Sequence, residues 1–559
     1  QRMVKESKGR AKEFRDNITE HKNEILHRAN LDLEGVDSTY YDTTTAKKKF
    51  VNNDLQRAVF SSTYTFEQFL KFFGKHSANG EGRLYNYFHK LNQDALDEEQ
   101  LYNEMNRNAL DEKTKELFGK EKFMKLVGID GNGMKEMDIE VTDYSNKKTG
   151  KRTIHLKQGQ MLYIYLVNKE TDGEMKLRAM GITEEDVAAI EENLEPRVKA
   201  MGVWLQDEYL PECQRRYQAT HTKYFGAPMK EVENYFPLAI NNRARNVKED
   251  VNQDSDAMSQ LAGTSTGAIV TRRVNVIPLD IENADAFEVA FNHLQEMEEW
   301  SAMLPFRQDI NTLLSYTHFR NQVQNMSSVA YGSGKTLWDE FKQTAQIAAG
   351  TYKPKVNAGM MDSRIAAAMG GIAVAKISGR LWTAIKQSQS ATVFLPECDF
   401  TRFVKNGVNP YGSWKWAMEN IPDFRKRVEN MTYGDVKLRQ YLDELEKWHD
   451  WTKTISKIGM APNILVDGIT CAVGARSVYE TEVNRLTKLG YPKDKAEDKA
   501  YYKAVAAYNK TQQSSGGMYL SPMQVDRTYV SAALSLFKNA NYAYGRMQIE
   551  ACRGLARTY

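Results

Sequence analysis

The chain has 559 residues, of which 41% are hydrophobic and 27% are charged, and its formal net charge is +3. This length exceeds what one hydrophobic core usually organises, so we expect about two to four cores. The composition is typical of a soluble folded protein, and the interleaved charges argue against an acidic tail or a strongly basic surface for nucleic acid. Only 13 residues are proline, which favours long helices.

The cysteines and the uncharged stretches exclude further classes. Because the four cysteines are far apart and form no CxxC pair, a disulfide framework or a zinc ribbon is not expected, and they are predicted to be free thiols: Cys213, Cys398, Cys471 and Cys552. The longest charge-free stretches have 15 residues, fewer than the ~20 apolar residues of a spanning helix, so no stable transmembrane segment is predicted. The first residue is Gln, which favours a processed product or a piece of a longer chain.

Residues 1–135 are predicted to form an N-terminal helical region. Thr65 and Gln68 have the spacing of a capping box, in which a hydroxyl accepts from a backbone N–H one turn later. Phenylalanines follow at helical spacing, and Gly74 is a suitable residue for the helix end.

Residues 136–225 are predicted to form a β-hairpin followed by helices. Asp138–Asp143 and Thr153–Leu156 alternate apolar and polar residues, and a glycine-containing turn separates them. A helix is expected from Gln158 through Val167, and Thr183 is expected to cap another.

Residues 226–285 lose the helical period and are predicted to form an extended connector, or arm. Such a long irregular stretch is unusual within a compact domain, so it marks a domain boundary or an arm that lies on another surface. Four basic residues flank it and are candidates for contacts with phosphates or with acidic partner surfaces: Arg243, Arg245, Arg272 and Arg273. The alternative, which the sequence favours, is that they form ordinary ion pairs.

Residues 286–457 are predicted to form a central helical domain around Ile365–Leu395. This stretch is rich in Ala, Gly and Ile, and it is apolar on more than one helical face, which is typical of a buried helix. A kink is expected at Gly370 and Gly371, where the apolar face changes. A membrane-active segment is the alternative, but Lys376 interrupts the apolar run.

Residues 458–559 are predicted to form a C-terminal helical unit that begins near Pro462. Its last helix is expected after Ser521, with Ser at the N-cap and proline at the first helical position.

The sequence contains no complete catalytic motif. Gly332–Thr336 resembles the end of a phosphate-binding P-loop, but Val329 occupies the position of the required first glycine, so we expect no nucleotide binding there. The nine histidines are scattered and lack a metal-ligand spacing. No cofactor is therefore expected, and whether the protein is an enzyme stays open, with the balance towards a non-enzymatic role.

Several segments, in order along the chain, resemble the motifs of large polyvalent proteins of phages and conjugative elements. They are Leu156–Gln160 followed by Met161–Val167, Gly226 with Tyr235–Pro237, Arg272 and Arg273 with Pro278–Asp280, Leu381–Gln387, and Gln512–Ser515 with Gln524 and Arg527. Each motif is short, and the specificity lies in their shared order.

This resemblance implies an internal virion protein of tailed phages, crAss-like phages included, that is ejected with the DNA. It implies virion partners such as portal or tail components, contact with genomic DNA, self-association, and a location inside the particle and then in the host cell. The alternative is an accessory scaffold of a larger enzyme, either a cell-wall hydrolase or a nucleic-acid-modifying enzyme. The expected fold is mainly α, an elongated assembly of helices with one small hairpin and the extended connector.

Overall fold

The computed structural model describes residues 16, 19–39, 64–74, 82–119, 123, 126, 136–142, 151–226, 228–229, 232–239, 284–331, 334–352, 394–395, 397–421, 424, 452–511 and 517–525. Across these residues the protein is mainly α-helical and contains a single two-stranded hairpin, as the sequence predicts. The chain divides into two compact units. Unit 1 comprises Gln1–Glu20 and Ala95–Pro305, and unit 2 comprises His21–Asp94 and Phe306–Tyr559.

The elements are numbered here in chain order. The first half of the chain contains α1 (19–32), α2 (Phe66–Phe73), α3 (Arg83–Phe118), β1 (Met137–Thr142), β2 (Lys151–Leu156), α4 (Gln158–Asn168), α5 (Gly173–Ala179), α6 (Glu184–Asn193), α7 (Pro196–Trp204), a π-helical turn (Leu205–Tyr209) and α8 (Leu210–Phe225). The second half contains α9 (Ala286–Ser315), α10 (Thr317–Tyr331), α11 (Gly334–Ala348), α12 (Phe400–Val408), α13 (Pro410–Asn420), α14 (Thr452–Lys488), α15 (Lys493–Thr511) and α16 (Pro522–Val525).

In unit 1 the hairpin covers the hydrophobic core with one face. β1 and β2 are antiparallel, with Asp138 opposite His155 and Ile139 opposite Ile154. Ile139 and Ile154 are buried, whereas Asp138 and His155 are exposed, so the predicted alternation of apolar and polar residues is confirmed. α4 follows the hairpin directly, and its residues Met161–Ile164 are all fully buried.

In unit 2 a cluster of aromatic rings forms the main core. Phe341 of α11 lies at its centre, with ring centroids 5.9 Å from Phe66, 5.7 Å from Phe69, 5.2 Å from Phe73 and 5.5 Å from Phe319. Most of these pairs are edge-to-face, the arrangement that the ring quadrupoles favour. Thr65 caps α2 as predicted, because its hydroxyl accepts from the N–H of Gln68 at 3.3 Å.

The predicted start of the C-terminal helical unit is wrong in one respect. Pro462 lies inside α14, which begins at Thr452, and does not open a helix. The predicted domain limit at 457/458 also falls within this helix. By contrast, Thr183 caps α6 and helices resume after Asp285, as predicted.

Several predictions fall on residues outside the described ranges. They are the buried helix at 365–393, the turn at 148–150 and most of the connector, residues 240–283. Of the connector, residues 226, 228–229, 232–239 and 284–285 are described, and they lie outside helices and strands, as predicted.

Candidate functional site

A buried group of ionisable side chains in unit 1 lies between α8 and α9. The π-helical turn leads into α8 and adds one residue to the helical repeat there, a local irregularity that is frequent at functional sites. Tyr209, Cys213, Arg216 and Tyr217 follow at spacings of three and four residues, which places them on one face of the helix. That face meets Glu298 of α9. We call this group the Glu298 cluster.

One oxygen of Glu298 accepts three hydrogen bonds. The donors to Oε1 are Nη2 of Arg216 at 2.6 Å, the hydroxyl of Tyr217 at 2.7 Å and Nδ2 of Asn106 at 2.8 Å. Glu298 is 1% exposed, so it is a buried carboxylate whose charge is balanced by the guanidinium of Arg216. A buried charge is tolerated only when it is paired and hydrogen-bonded in this way.

Asn106 of α3 completes the Glu298 cluster. Its Oδ1 accepts from the hydroxyl of Tyr209 at 2.8 Å and from Nη2 of Arg216 at 3.0 Å, while its Nδ2 donates to Glu298. The orientation of the amide is therefore fixed by its partners on both sides. The guanidinium of Arg216 also lies 4.9 Å from the ring centroid of Tyr102.

Cys213 carries the thiol of the Glu298 cluster, and its surroundings decide whether this thiol can act as a nucleophile. Arg216 lies 3.6 Å from Sγ and favours the thiolate, but Cys213 is completely buried. Burial wins and raises the pKa of the thiol to about 11, and the nearby negative charge of Glu298 acts in the same direction. Because the thiolate is the nucleophile, this cysteine is chemically inert at neutral pH.

The inertness of Cys213 gives a direct prediction. At pH 8 the thiolate fraction for a pKa of about 11 is roughly 200-fold lower than for the ordinary value near 8.5, so alkylation of native Cys213 at this pH should be slower by at least that factor than in denaturant. Peptide mapping after timed iodoacetamide treatment measures this rate. Equal rates in native and denatured protein would show that Cys213 is accessible and ionised.

A second group of buried polar residues fixes the segment Asn234–Pro237, which we call the NYFP segment. Gln206 of the π-helical turn donates to the carbonyl of Asn234 at 2.7 Å and to the carbonyl of Leu166 at 2.9 Å. Glu170 accepts from the N–H of Phe236 at 2.8 Å, and Lys176 balances its charge at 3.4 Å. The backbone of the segment is therefore attached to Glu170, in the turn that follows α4, and to Gln206 in the π-helical turn.

The side chains of the NYFP segment point to the same conclusion. Phe236 is fully buried, with its ring centroid 6.2 Å from that of Tyr163. The hydroxyl of Tyr235 lies 3.3 Å from Nε2 of His293, and burial lowers the pKa of His293 to about 4. The ring of His293 is thus neutral at physiological pH and can accept this hydrogen bond. Asn234 adopts a left-handed backbone with a φ of 51°, a conformation that Asn tolerates better than most residues.

The residues of the Leu156–Gln160 motif are also built into the fold. The side chain of Gln158 donates to the carbonyl of Asn193 at 3.0 Å and accepts from the N–H of Glu195 at 2.9 Å. Gln160 accepts from the N–H of Lys157 at 2.8 Å and so caps the start of α4. Gln158 thus joins α4 to the connection between α6 and α7, whereas the bond of Gln160 is local.

The predicted contact residues Arg243, Arg245, Arg272 and Arg273 lie outside the described residues, so they stay a prediction. Around Gly332–Thr336 the structure describes a helix before the motif, α10, and a second helix that begins at Gly334. A P-loop follows a strand, and this arrangement therefore differs from one.

Within the described residues, no group of three or more His, Cys, Asp or Glu side chains is arranged to hold a metal ion. In the same part of the chain, no helix combines the length and the apolar character that crossing a bilayer requires.

The Glu298 cluster was not anticipated from the sequence. The spacing of Tyr209, Cys213 and Arg216 could have identified one polar face of α8, because charged residues rarely occupy an otherwise apolar stripe. Asn106, however, is 107 positions away from its partner Cys213 in the sequence. Glu298 is 82 positions away from its partner Arg216. No local pattern in one sequence indicates such a pairing.

Comparisons with protein-family models, with curated proteins and with solved structures found no match for this chain.

Proposed function

We propose that this chain is a non-enzymatic internal virion protein of a tailed phage, carried in the particle and delivered with the genome into the host. The proposal rests on one observation: the residues of the motifs have structural roles. Gln158, Gln160 and the NYFP segment hold backbone segments together, and their polar groups are occupied by these contacts. Motifs that specify a fold suit a structural protein.

The Glu298 cluster supports the same proposal. Its carboxylate, guanidinium and thiol are directed at one another inside unit 1, and Cys213 is held in its unreactive form. An enzyme would require such groups to face a substrate. Here they join α3, α8 and α9, so the group acts as a buried structural connection.

The type of fold suits passage through a narrow tail. A protein delivered in this way must loosen and then fold again, and helical proteins with local contacts fold faster than proteins with many distant strand pairings. The described residues contain one short hairpin, and Cys213, Cys398 and Cys471 are free thiols. A chain without cross-links can be threaded, whereas a disulfide-linked chain cannot.

The proposed partners follow from this role. Portal or tail components would contact the protein in the particle, and the protein would also contact the backbone phosphates of the genomic DNA. Arg243, Arg245, Arg272 and Arg273 are the residues proposed for such contacts. The proposed location is the interior of the capsid or tail before infection, and self-association is part of the same proposal.

Protein mass spectrometry of gradient-purified particles tests this role. We expect peptides from both units in a fixed ratio to the major capsid protein, and we expect them to survive protease treatment of intact particles. A phage enzyme that is confined to the infected cell serves as the negative control and should be absent. If this chain behaves like that control, it is not a virion protein, and an intracellular scaffold becomes the better explanation.

A further inference from the structure

The contact between α3 and α15 in unit 2 contains an unusual buried side chain. Gln93 of α3 is fully buried, yet neither its amide nitrogen nor its amide oxygen forms a hydrogen bond anywhere in the described structure. A buried amide without partners costs free energy, because in water both atoms would be hydrogen-bonded. The closed contact therefore holds a group that would be better satisfied if the contact opened to solvent.

Its position on the helix shows which neighbour covers Gln93. His89 and Lys90 both contact Tyr502 of α15, at 3.5 Å from the backbone carbonyl and 3.1 Å from the hydroxyl. Around a helix with 3.6 residues per turn, position 93 lies between positions 89 and 90. Gln93 is therefore on the face that α15 covers.

His89 adds a second incomplete polar group to this contact. Its Nδ1 is buried and has no hydrogen-bond partner among the described residues, and the bond from Nε2 to the Tyr502 carbonyl has a length at the upper limit for a hydrogen bond. The carbonyl can only accept, so Nε2 carries the proton and Nδ1 is a bare acceptor. The ring stacks on Tyr85, with the centroids 5.4 Å apart.

The other polar contacts between α15 and this face of α3 are made by side chains that are partly exposed to solvent. Tyr502 donates to Asp94 at 2.6 Å, and Lys90 lies 3.0 Å from Asp94 and 5.0 Å from the centroid of the Tyr502 ring. Lys90 and Asp94 are largely exposed, and exposed ion pairs contribute little to stability. The aromatic rings around Phe341, by contrast, are fully buried.

We propose that the contact between α15 and residues 83–94 of α3 is a built-in release point, which opens while the aromatic core of unit 2 stays folded. Opening would hydrate Gln93 and His89, and it would break the long bond from His89 to the Tyr502 carbonyl and the side-chain contacts of Tyr502 with Lys90 and Asp94. Its use in loosening the protein for delivery rests on the proposed function. Release itself is a property of the purified protein, so the two statements can fail separately.

The opening should depend on pH. Burial lowers the pKa of His89. The positive charge of Lys71 also lowers this pKa, whereas the negative charge of Glu67 in α2 raises it. Tyr85 and Tyr502 are the other residues that face the ring. A histidine whose pKa is lower in the closed state stabilises that state above its ordinary pKa, near 6.5, and the stabilisation is lost as the pH falls. We therefore expect more opening at pH 5.5 than at pH 7.5.

Hydrogen exchange measured by mass spectrometry on the full chain tests the proposal. After correction for intrinsic rates, amides of α15 should exchange faster than those of α10 and α11. Gln93→Leu removes the unsatisfied amide and should slow exchange in α15 by about tenfold, the factor that corresponds to one such group. Gln93→Met tests the same change with a flexible side chain in case the leucine does not fit.

The matched control is Gln322→Leu in the same unit. Gln322 is also buried, but its amide nitrogen donates to the carbonyls of Leu33 at 3.2 Å and Val36 at 3.4 Å, and only its oxygen lacks a partner. Because this substitution removes hydrogen bonds that are made, it should accelerate exchange in its own helix, α10. His89→Phe keeps the ring stack and should remove the pH dependence. The proposal is overturned if α15 is as protected as α11, if both Gln93 variants leave exchange in α15 unchanged or faster, or if His89→Phe keeps the full pH dependence.

Discussion

Replacing Glu298 with alanine is expected to lower the free energy of unfolding of unit 1 by about 3–5 kcal/mol, the usual cost of removing one partner from a buried ion pair. The substitution leaves the guanidinium of Arg216, the hydroxyl of Tyr217 and the amide of Asn106 without their common acceptor. In calorimetry, the transition of unit 1 should shift down by on the order of 10 °C.

Two further variants show whether the loss of stability comes from the broken buried ion pair or from any substitution in α9. Glu296 lies on the same helix with an exposed side chain, and Glu296→Ala should change the free energy of unfolding by less than about 0.5 kcal/mol. Replacing both Glu298 with Leu and Arg216 with Met removes the two charges together and should restore much of the lost stability. Equal losses for Glu298→Ala and Glu296→Ala would contradict the structural role of the Glu298 cluster.

Gly159→Ala is expected to destabilise unit 1 by about 2–4 kcal/mol, the sum of a lost helix cap and local overpacking. A methyl group at this position would lie 1.9 Å from Oδ2 of Asp285, so the carboxylate would have to move. Asp285 caps α9, because its Oδ1 accepts from the N–H of Phe287 at 2.9 Å and from that of Glu288 at 3.2 Å. Denaturant unfolding measures the loss.

A control glycine and a double-mutant cycle make this result specific. Gly407 of α12 has open space where the methyl group of an alanine would lie, so Gly407→Ala should stabilise its helix by about 0.5–1 kcal/mol. In an Asp285→Ala background the cost of Gly159→Ala should shrink, because the clashing carboxylate is gone. Additive losses from the two substitutions would show that Gly159 and Asp285 do not interact.

The local parts of the fold could be predicted from the sequence, for reasons that particular residues show. Thr65 and Thr183 cap helices because a hydroxyl at the N-cap satisfies a nearby backbone N–H, which is a short-range effect. The hairpin was predictable because alternation over Asp138–Asp143 directly encodes a sheet with one buried face.

Features that depend on distant contacts could not be predicted. Pro462 suggested a helix start because proline lacks the N–H of a regular helix, yet α14 continues through it. The Glu298 cluster joins three helices that are far apart in sequence, and Gln93 gives no sign of its burial in a charged stretch of α3. The Leu156–Gln160 motif is visible in the sequence, but the reason for its glycine is the carboxylate of Asp285, 126 residues away, which only the structure shows.

Delivery into a newly infected cell is the most direct test of an ejected virion protein. A short luciferase fragment can be placed at the exposed turn at Gly490, where the backbone has a φ of 84° and nothing lies within 4 Å of the position that a methyl side chain would occupy. Tagged particles are then added to cells that contain the complementary fragment while translation is blocked. We expect light soon after adsorption, and none from particles in which a major capsid protein carries the tag. Tagged protein that is present in the particles but yields no light inside the cells would contradict delivery with the genome.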